Sequence, residues 1–359
     1  MKFLIILINT LVIFLFSDYL YSNFKKAKSN STISMNKNYG YDFIPNLDTI
    51  DKYGHLNFRL CTDINSFRIN CKTKEKNRNF KKIDFLFLGD SFVEGIGLNH
   101  KDTFVGRLQN QYPSLNIINS GIRGYGSINY LNKFKYLVKK DKKIEKAIIF
   151  IDISDLEDKY DQTNKKSESV NLNNKEIVKV KQNIREKIKK NFNYTYYIYF
   201  NFRQLLEKNF FIKNERFKIT LKNRILAYKK NYKRASWTYV SESILNKNSL
   251  VDKVKADLKE IFDLCKINNI QCSIAVYPWP NQILYDKKES KHVKYWENFC
   301  LRNECEKFIN LFPLFFEKEN NINNFDIIIQ NYIYKDVHFN ENGNRLIYEE
   351  LTRVFKNEF

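Results

Sequence analysis

Ile83-Asp84-Phe85-Leu86-Phe87-Leu88 runs almost unbroken in apolar residues between Lys81-Lys82 and Gly89-Asp90-Ser91. An apolar run this short, bounded by charge and by glycine, predicts a buried strand that ends in a tight turn. Downstream, Asp102-Thr103-Phe104-Val105-Gly106-Arg107-Leu108 predicts a capped helix start with apolar residues at helical spacing. A strand that feeds a helix through a serine-bearing turn is how open α/β sheets place chemistry at their carboxyl edge. Gly-Asp-Ser alone is ordinary turn composition, so its weight depends on the rest of the chain.

Three further blocks stand downstream in order. Asn119-Ser120-Gly121-Ile122-Arg123-Gly124-Tyr125-Gly126 comes after the apolar run 115–118. Ala147-Ile148-Ile149-Phe150-Ile151 ends in Asp152-Ile153-Ser154-Asp155. Near the C-terminus stands Asp336-Val337-His338-Phe339-Asn340-Glu341-Asn342-Gly343-Asn344. This ordered set resembles the SGNH (GDSL) hydrolase superfamily, whose four blocks carry Ser, Gly, Asn and His. The resemblance covers roughly residues 83–155 and 251–350. It implies a three-layer α/β/α, flavodoxin-like parallel sheet, here with a helical insertion.

The chemistry of these positions can be argued directly. A serine hydroxyl is a weak nucleophile until an imidazole takes its proton. The imidazole in turn needs a carboxylate to fix its tautomer and stabilise its charged form. Asp336 and His338 are two apart, and in extended chain such residues point to the same face. They are therefore the candidate acid and base for a Ser91 nucleophile. The family's usual spacing is Asp-x-x-His; the shorter spacing looks like that of some envelope-polysaccharide O-acetylation proteins of the superfamily. By resemblance, the oxyanion donors are the backbone N–H groups of Ser91 and Gly124 and a side chain of the third block. Ser154 stands there where the family has asparagine. A hydroxyl is a shorter donor than an amide, and losing one such donor lowers rates by roughly 10²–10³ in a known case. Asp90, Asp155 and Trp279 are candidates for substrate contact. His55, His100 and His292 lack an aspartate two or three residues ahead.

Lys2 precedes two apolar stretches, Phe3 to Ile8 and Leu11 to Phe16, followed by Asp18 and Lys25-Lys26. This pattern predicts a signal anchor over 1–24, with cleavage as the alternative. Six cysteines fall into three local pairs: Cys61 and Cys71, Cys265 and Cys272, Cys300 and Cys305. In an oxidising compartment three local disulfides are the simplest arrangement. No Cys-x-x-Cys pair with nearby histidines completes a zinc set, and no metal or cofactor is expected. The net charge of +21 is spread along the chain without a nucleic-acid motif, so no nucleic-acid partner is expected.

Residues 25–80 read as a stalk leading into a small substructure, and 81–359 as the catalytic domain with an insertion at about 156–245. Ile177, Val180, Ile184 and Ile188 give the insertion one apolar helical face. Its aromatic run from Tyr194 to Phe202 is open to reading as a lid, a sugar-stacking or membrane-facing patch, or simple packing. Phe308-Ile309-Asn310-Leu311-Phe312 predicts the last strand, and Leu346, Ile347 and Leu351 line a closing helix. The expected protein is a membrane-tethered periplasmic serine esterase or O-acyltransferase acting on envelope carbohydrate esters. The rivals are a lipid or lysophospholipid esterase and a polysaccharide-binding protein whose site has decayed.

Overall fold

The computed structural model describes residues 2–26, 32–54, 56–71, 81–140, 142–155, 191–192, 194–196, 198–199, 202, 249–285, 290–316, 324–334 and 336–359. The chain divides into two compact units, one of Met1–Ser31 with Asn164–Ile219 and one of Thr32–Thr163 with Thr220–Phe359. The predicted insertion helix carrying Ile177 to Ile188 lies outside the described residues.

In the first unit, α1 (Lys2–Lys26) exposes Ile5, Ile6, Leu11, Ile13 and Phe16 on several sides. The Asp18 carboxylate accepts the N–H groups of Tyr194 at 3.0 Å and Thr195 at 2.7 Å, and the Thr195 hydroxyl at 2.6 Å. It thereby caps a helical turn from another segment, satisfying donors that a helix start leaves open. Among the described residues no helix is long and apolar enough to cross a membrane, and the expected anchor over 1–24 is without support from that side. The apolar stretch from Phe3 to Phe16 is broken by Asn9 and Thr10 and followed by Asp18.

The second unit is built on one eight-stranded sheet. Its strands in chain order are β3 (Asp48–Tyr53), β4 (Leu56–Thr62), β5 (Arg68–Ile69), β6 (Lys82–Leu88), β7 (Ile117–Asn119), β8 (Lys143–Ile151), β9 (Gln271–Val276) and β10 (Phe308–Asn310). A separate hairpin pairs β1 (Ile33–Asn36) with β2 (Gly40–Phe43). The spatial order is β10-β9-β8-β6-β7-β5-β4-β3. The five strands from β10 to β7 are parallel, and their order is that of a flavodoxin-like sheet. β5, β4 and β3 continue it antiparallel beyond β7. Residues 48–69, within the segment expected as stalk and N-terminal extension, therefore continue the sheet beyond its parallel strands.

Inward residues of β6 and β8 are almost wholly buried, as parallel strands covered on both faces must be. The helices follow the strands: α2 (Ser91–Glu94), α3 (Phe104–Gln111), α4 (Ser127–Lys139), α5 (Ser249–Ile267), α6 (Pro280–Tyr285), α7 (Lys291–Arg302), α8 (Asn324–Asn331) and α9 (Glu341–Val354). α3 packs with α9, and α4 with α5. Right-handed crossovers running in opposite directions from β6 and β7 place these two layers on opposite faces. The helix start expected within Asp102 to Leu108 is capped by Thr103, whose hydroxyl accepts the Gly106 N–H at 3.1 Å.

Cys61–Cys71 and Cys300–Cys305 are disulfide-bonded, with Cα separations of 5.3 and 5.1 Å. The third expected pair is not formed: Cys265 and Cys272 are buried free thiols. Burial, and then the neighbouring Cys265, push the Cys272 thiol well above its ordinary pKa. That withholds the thiolate on which disulfide formation depends.

Candidate active site

The order of the parallel strands reverses between β6 and its neighbours β7 and β8, and at such a switch point the carboxyl ends leave a crevice. Ser91 lies there, at the start of α2. The turn is tight because Gly89 has no side chain; a Cβ would overlap Val93. Asp90 caps α2, its Oδ1 accepting the Phe92 N–H at 2.9 Å and the Tyr277 hydroxyl at 3.3 Å.

Asp336 and His338 arrive on a tight loop between α8 and α9. Tyr332 and Phe339 form an antiparallel bridge across it, and the Ile333 N–H donates to the His338 carbonyl at 2.8 Å. Within the loop Asp336 Oδ1 accepts both the backbone N–H of His338 at 3.0 Å and the ring Nδ1–H at 2.6 Å. The first of these is an Asx turn, a bond two residues on that aspartate side chains make readily. It shows how a two-residue spacing still delivers a carboxylate to its histidine. The other ring nitrogen, Nε2, stands 2.7 Å from Ser91 Oγ and accepts its proton. Phe92 lies against the imidazole, with ring centroids 4.7 Å apart. Burial raises the Asp336 pKa, but hydrogen bonds and charge from His338, followed by a hydrogen bond from Tyr53, outweigh it and hold the carboxyl below its ordinary value.

Gly124 has φ +86°, a left-handed conformation that favours glycine. Among the described residues, the Ser91 and Gly124 N–H groups donate to no protein acceptor. Ser154 sits in the turn after β8, half-buried, with its N–H donating to Asp152 Oδ1 at 2.6 Å.

The three candidates for substrate contact are placed differently from that expectation. Trp279 is buried and its indole N–H donates to Asp152 at 2.7 Å, so it offers no open face to a sugar. Asp155 is buried against Tyr130, whose hydroxyl donates to it at 2.8 Å. Burial, followed by the nearby charges of Asp152 and Asp90, pushes its carboxyl well above the ordinary range. Asp90 is occupied as the cap of α2. All three are polar groups committed to holding the carboxyl edge of the sheet together, since a buried polar group must be paired.

Several residues at the site carry no signal that sequence reasoning used. The Tyr53 hydroxyl lies 3.1 Å from Asp336 Oδ2 and 3.0 Å from His338 Nδ1. The Arg123 guanidinium bonds the fully buried Glu94 carboxylate, with Nε to Oε1 at 3.0 Å, and reaches Asp51 at 2.7 Å. The buried Arg68 donates to the carbonyls of Glu94, Gly95 and Leu98, at and just past the end of α2. Asp51 and Tyr53 are two apart on β3 and share its inward face, while Ile50 beside them is exposed. That inverted alternation, with the polar residues facing in, is the one sequence pattern that marks them.

Asp48, Cys61 and Cys71 cluster tightly, but the two sulfurs are bonded to each other and are not metal ligands.

No family model matches the chain, and no curated protein matches it. Solved structures similar to it include the psychrotrophic esterase EstA from a Pseudoalteromonas species (13% identity, covering 76% of this chain and 97% of that one, TM-score 0.37). AlinE4, an SGNH-hydrolase family esterase, has 14% identity, covers 78% of this chain and 96% of its own, and has a TM-score of 0.34. A GDSL-like lipase from Bacteroides thetaiotaomicron has 11% identity, covers 78% and 89%, and scores 0.36. At these identities and scores the likeness says nothing of substrate.

Proposed function

We propose that the protein is a serine esterase or O-acyltransferase that works through an acyl-Ser91 intermediate. The observation that carries this is the continuous relay from Ser91 Oγ through the His338 ring to Asp336, with steps of 2.7 and 2.6 Å. In the first half-reaction Ser91 Oγ attacks the ester carbonyl as His338 Nε2 takes its proton. Asp336, held ionised, stabilises the imidazolium. The resulting oxyanion faces the N–H groups of Ser91 and Gly124, with the Ser154 hydroxyl as the third donor. His338 then returns its proton to the leaving alcohol as the carbonyl–oxygen bond breaks. In the second half, His338 Nε2 takes the proton of water or an acceptor hydroxyl as its oxygen attacks the acyl carbonyl, and returns that proton to Ser91 Oγ as the acyl–Oγ bond breaks.

Envelope carbohydrate esters are the proposed substrate class and the extracytoplasmic side of the membrane the proposed location. Two disulfides support export, since such bonds persist in oxidising compartments. The Asp-x-His spacing supports the carbohydrate assignment by resemblance.

The test is turnover of p-nitrophenyl acetate by wild type and Ser91→Ala. Removing a nucleophile lowers kcat by about 10⁶ in a known serine enzyme, so the variant should fall to background. Its stability should stay within roughly 0.5 kcal/mol, because the change removes one hydroxyl from a half-buried side chain. Retention of most activity would exclude Ser91 as the nucleophile.

A further inference from the structure

We propose that Tyr53 is a positioning residue for the Asp336–His338 pair, delivered to the site by the N-terminal strand β3. This rests on the reading of Ser91 and His338 as nucleophile and base. With Nδ1–H donated to Asp336 Oδ1 at 2.6 Å, that ring nitrogen has no lone pair left for the tyrosine. The Tyr53 hydroxyl therefore donates to Asp336 Oδ2, 3.1 Å away, and turns its own oxygen toward Nδ1–H at 3.0 Å. One hydroxyl thus fixes the free oxygen of the carboxylate and presents negative dipole to the side of the ring that must carry charge in the transition state.

The short Asp-x-His spacing is what gives this contact its value. Asp336 Oδ1 is held twice by His338, through the backbone N–H and the ring, but both bonds belong to the same small loop. The carboxylate's second oxygen needs a partner outside the loop to fix its rotation, and Tyr53 supplies it. The tyrosine is itself held. Its ring meets the His338 ring edge to face, with centroids 5.2 Å apart. It also lies over Gly97, where its Cδ1 is 3.5 Å from the place a Cβ would occupy. Two residues earlier on the same strand face, Asp51 grips Arg123 beside Gly124. The inward face of β3 therefore reaches two of the loops that carry the reacting groups.

Tyr53→Phe keeps the ring contacts and deletes the hydroxyl. A hydrogen bond to a charged group contributes enough that its loss should lower kcat by about 10-fold or more, with KM unchanged. In an Asp336→Asn background the same change should add less than twofold, because residues that act through one group are not additive. A second readout does not depend on turnover: the His338 Nδ1 proton, followed by NMR, should exchange with solvent faster in Tyr53→Phe than in wild type. A kcat within twofold of wild type, a full additive loss beside Asp336→Asn, or unchanged exchange of the ring proton would each overturn the proposal. A wild type that turns over no ester, yet loses ring-proton protection in Tyr53→Phe, would overturn the esterase reading and leave the role of Tyr53 standing.

Discussion

The turns after β6, β7 and β8 present Ser91, Gly124 and Ser154 at the carboxyl edge of the parallel array, whereas β3 and β5 bring Asp51, Tyr53 and Arg68 to the same place from beyond its antiparallel edge. The two regions share a sheet but contribute different things. In the parallel half, deeply buried apolar strands fix where each turn begins, so a small reactive residue can stand in a defined position on a short loop. In the antiparallel half, long polar side chains grip those loops through charge and hydrogen bonds. On the proposed reading, the nucleophile and the oxyanion donors thus stand on turns held by apolar burial, and the groups that grip those turns come from the part of the fold fastened to them. Catalytic groups need supporting partners of this kind to stay within reach of the productive geometry.

If this division is right, changes in the two regions should have separable effects, and the largest on stability should come from the buried ion pair that ties the N-terminal segment to α4. Lys133 and Asp42 are both almost fully buried and 3.0 Å apart, with Lys133 also facing the rings of Tyr39, Phe67 and Tyr125. Lys133→Met would leave the Asp42 charge buried, with the Tyr39 hydroxyl at 2.7 Å and the backbone N–H of Phe43 at 2.8 Å. Breaking a buried pair this way destabilises by about 3–5 kcal/mol. Urea unfolding should show that loss as a lower midpoint, while turnover per folded molecule stays close to wild type. A loss under about 1 kcal/mol would mean that the N-terminal segment is fastened elsewhere.

A smaller effect should come from the bridge at the end of this region. Cys61–Cys71 closes a loop with a sequence separation of 10, which in the chain-entropy description is worth about 2.7 kcal/mol. Replacing both cysteines by serine should lower stability by at most that amount, read from the same unfolding curves. A change of two or three times that size would show that the bridge also fixes native structure in β4, and would sharpen the contrast between the halves.

The parallel half is also the legible half. Ile83 to Leu88 and Ala147 to Ile151 announce buried strands by composition alone, and both form. Phe308 begins the edge strand as expected, though the strand ends at Asn310, where Leu311 leads into a short turn of 3₁₀ helix. Block order and chemistry single out Ser91, His338 and Asp336, and the structure brings those three side chains together. The antiparallel half is opaque for a physical reason. β3 turns polar residues to its inner face, and their partners lie far along the chain: Tyr53 meets Asp336 across a separation of 283 residues. No local periodicity encodes a contact of that kind. Trp279 misleads for the opposite reason. A proline-flanked tryptophan at a strand's carboxyl end resembles a sugar platform, but its N–H is needed to satisfy the buried Asp152. The cysteines split in the same way. Cys300 and Cys305 close a turn, whereas Cys265 and Cys272, also near in sequence, stay reduced within the core.

The claim at the centre of this account is that Ser91 is made nucleophilic by His338 within the relay. Its most direct test is covalent labelling with a fluorophosphonate, which reacts with activated serine hydroxyls, followed by mass mapping of the modified peptide. The account predicts one adduct per molecule, on Ser91 of the strand-turn-helix 82–94, and loss of that adduct in His338→Ala while the fold is retained. No adduct on well-folded wild-type protein, an adduct on another residue, or undiminished labelling of Ser91 without His338 would contradict it.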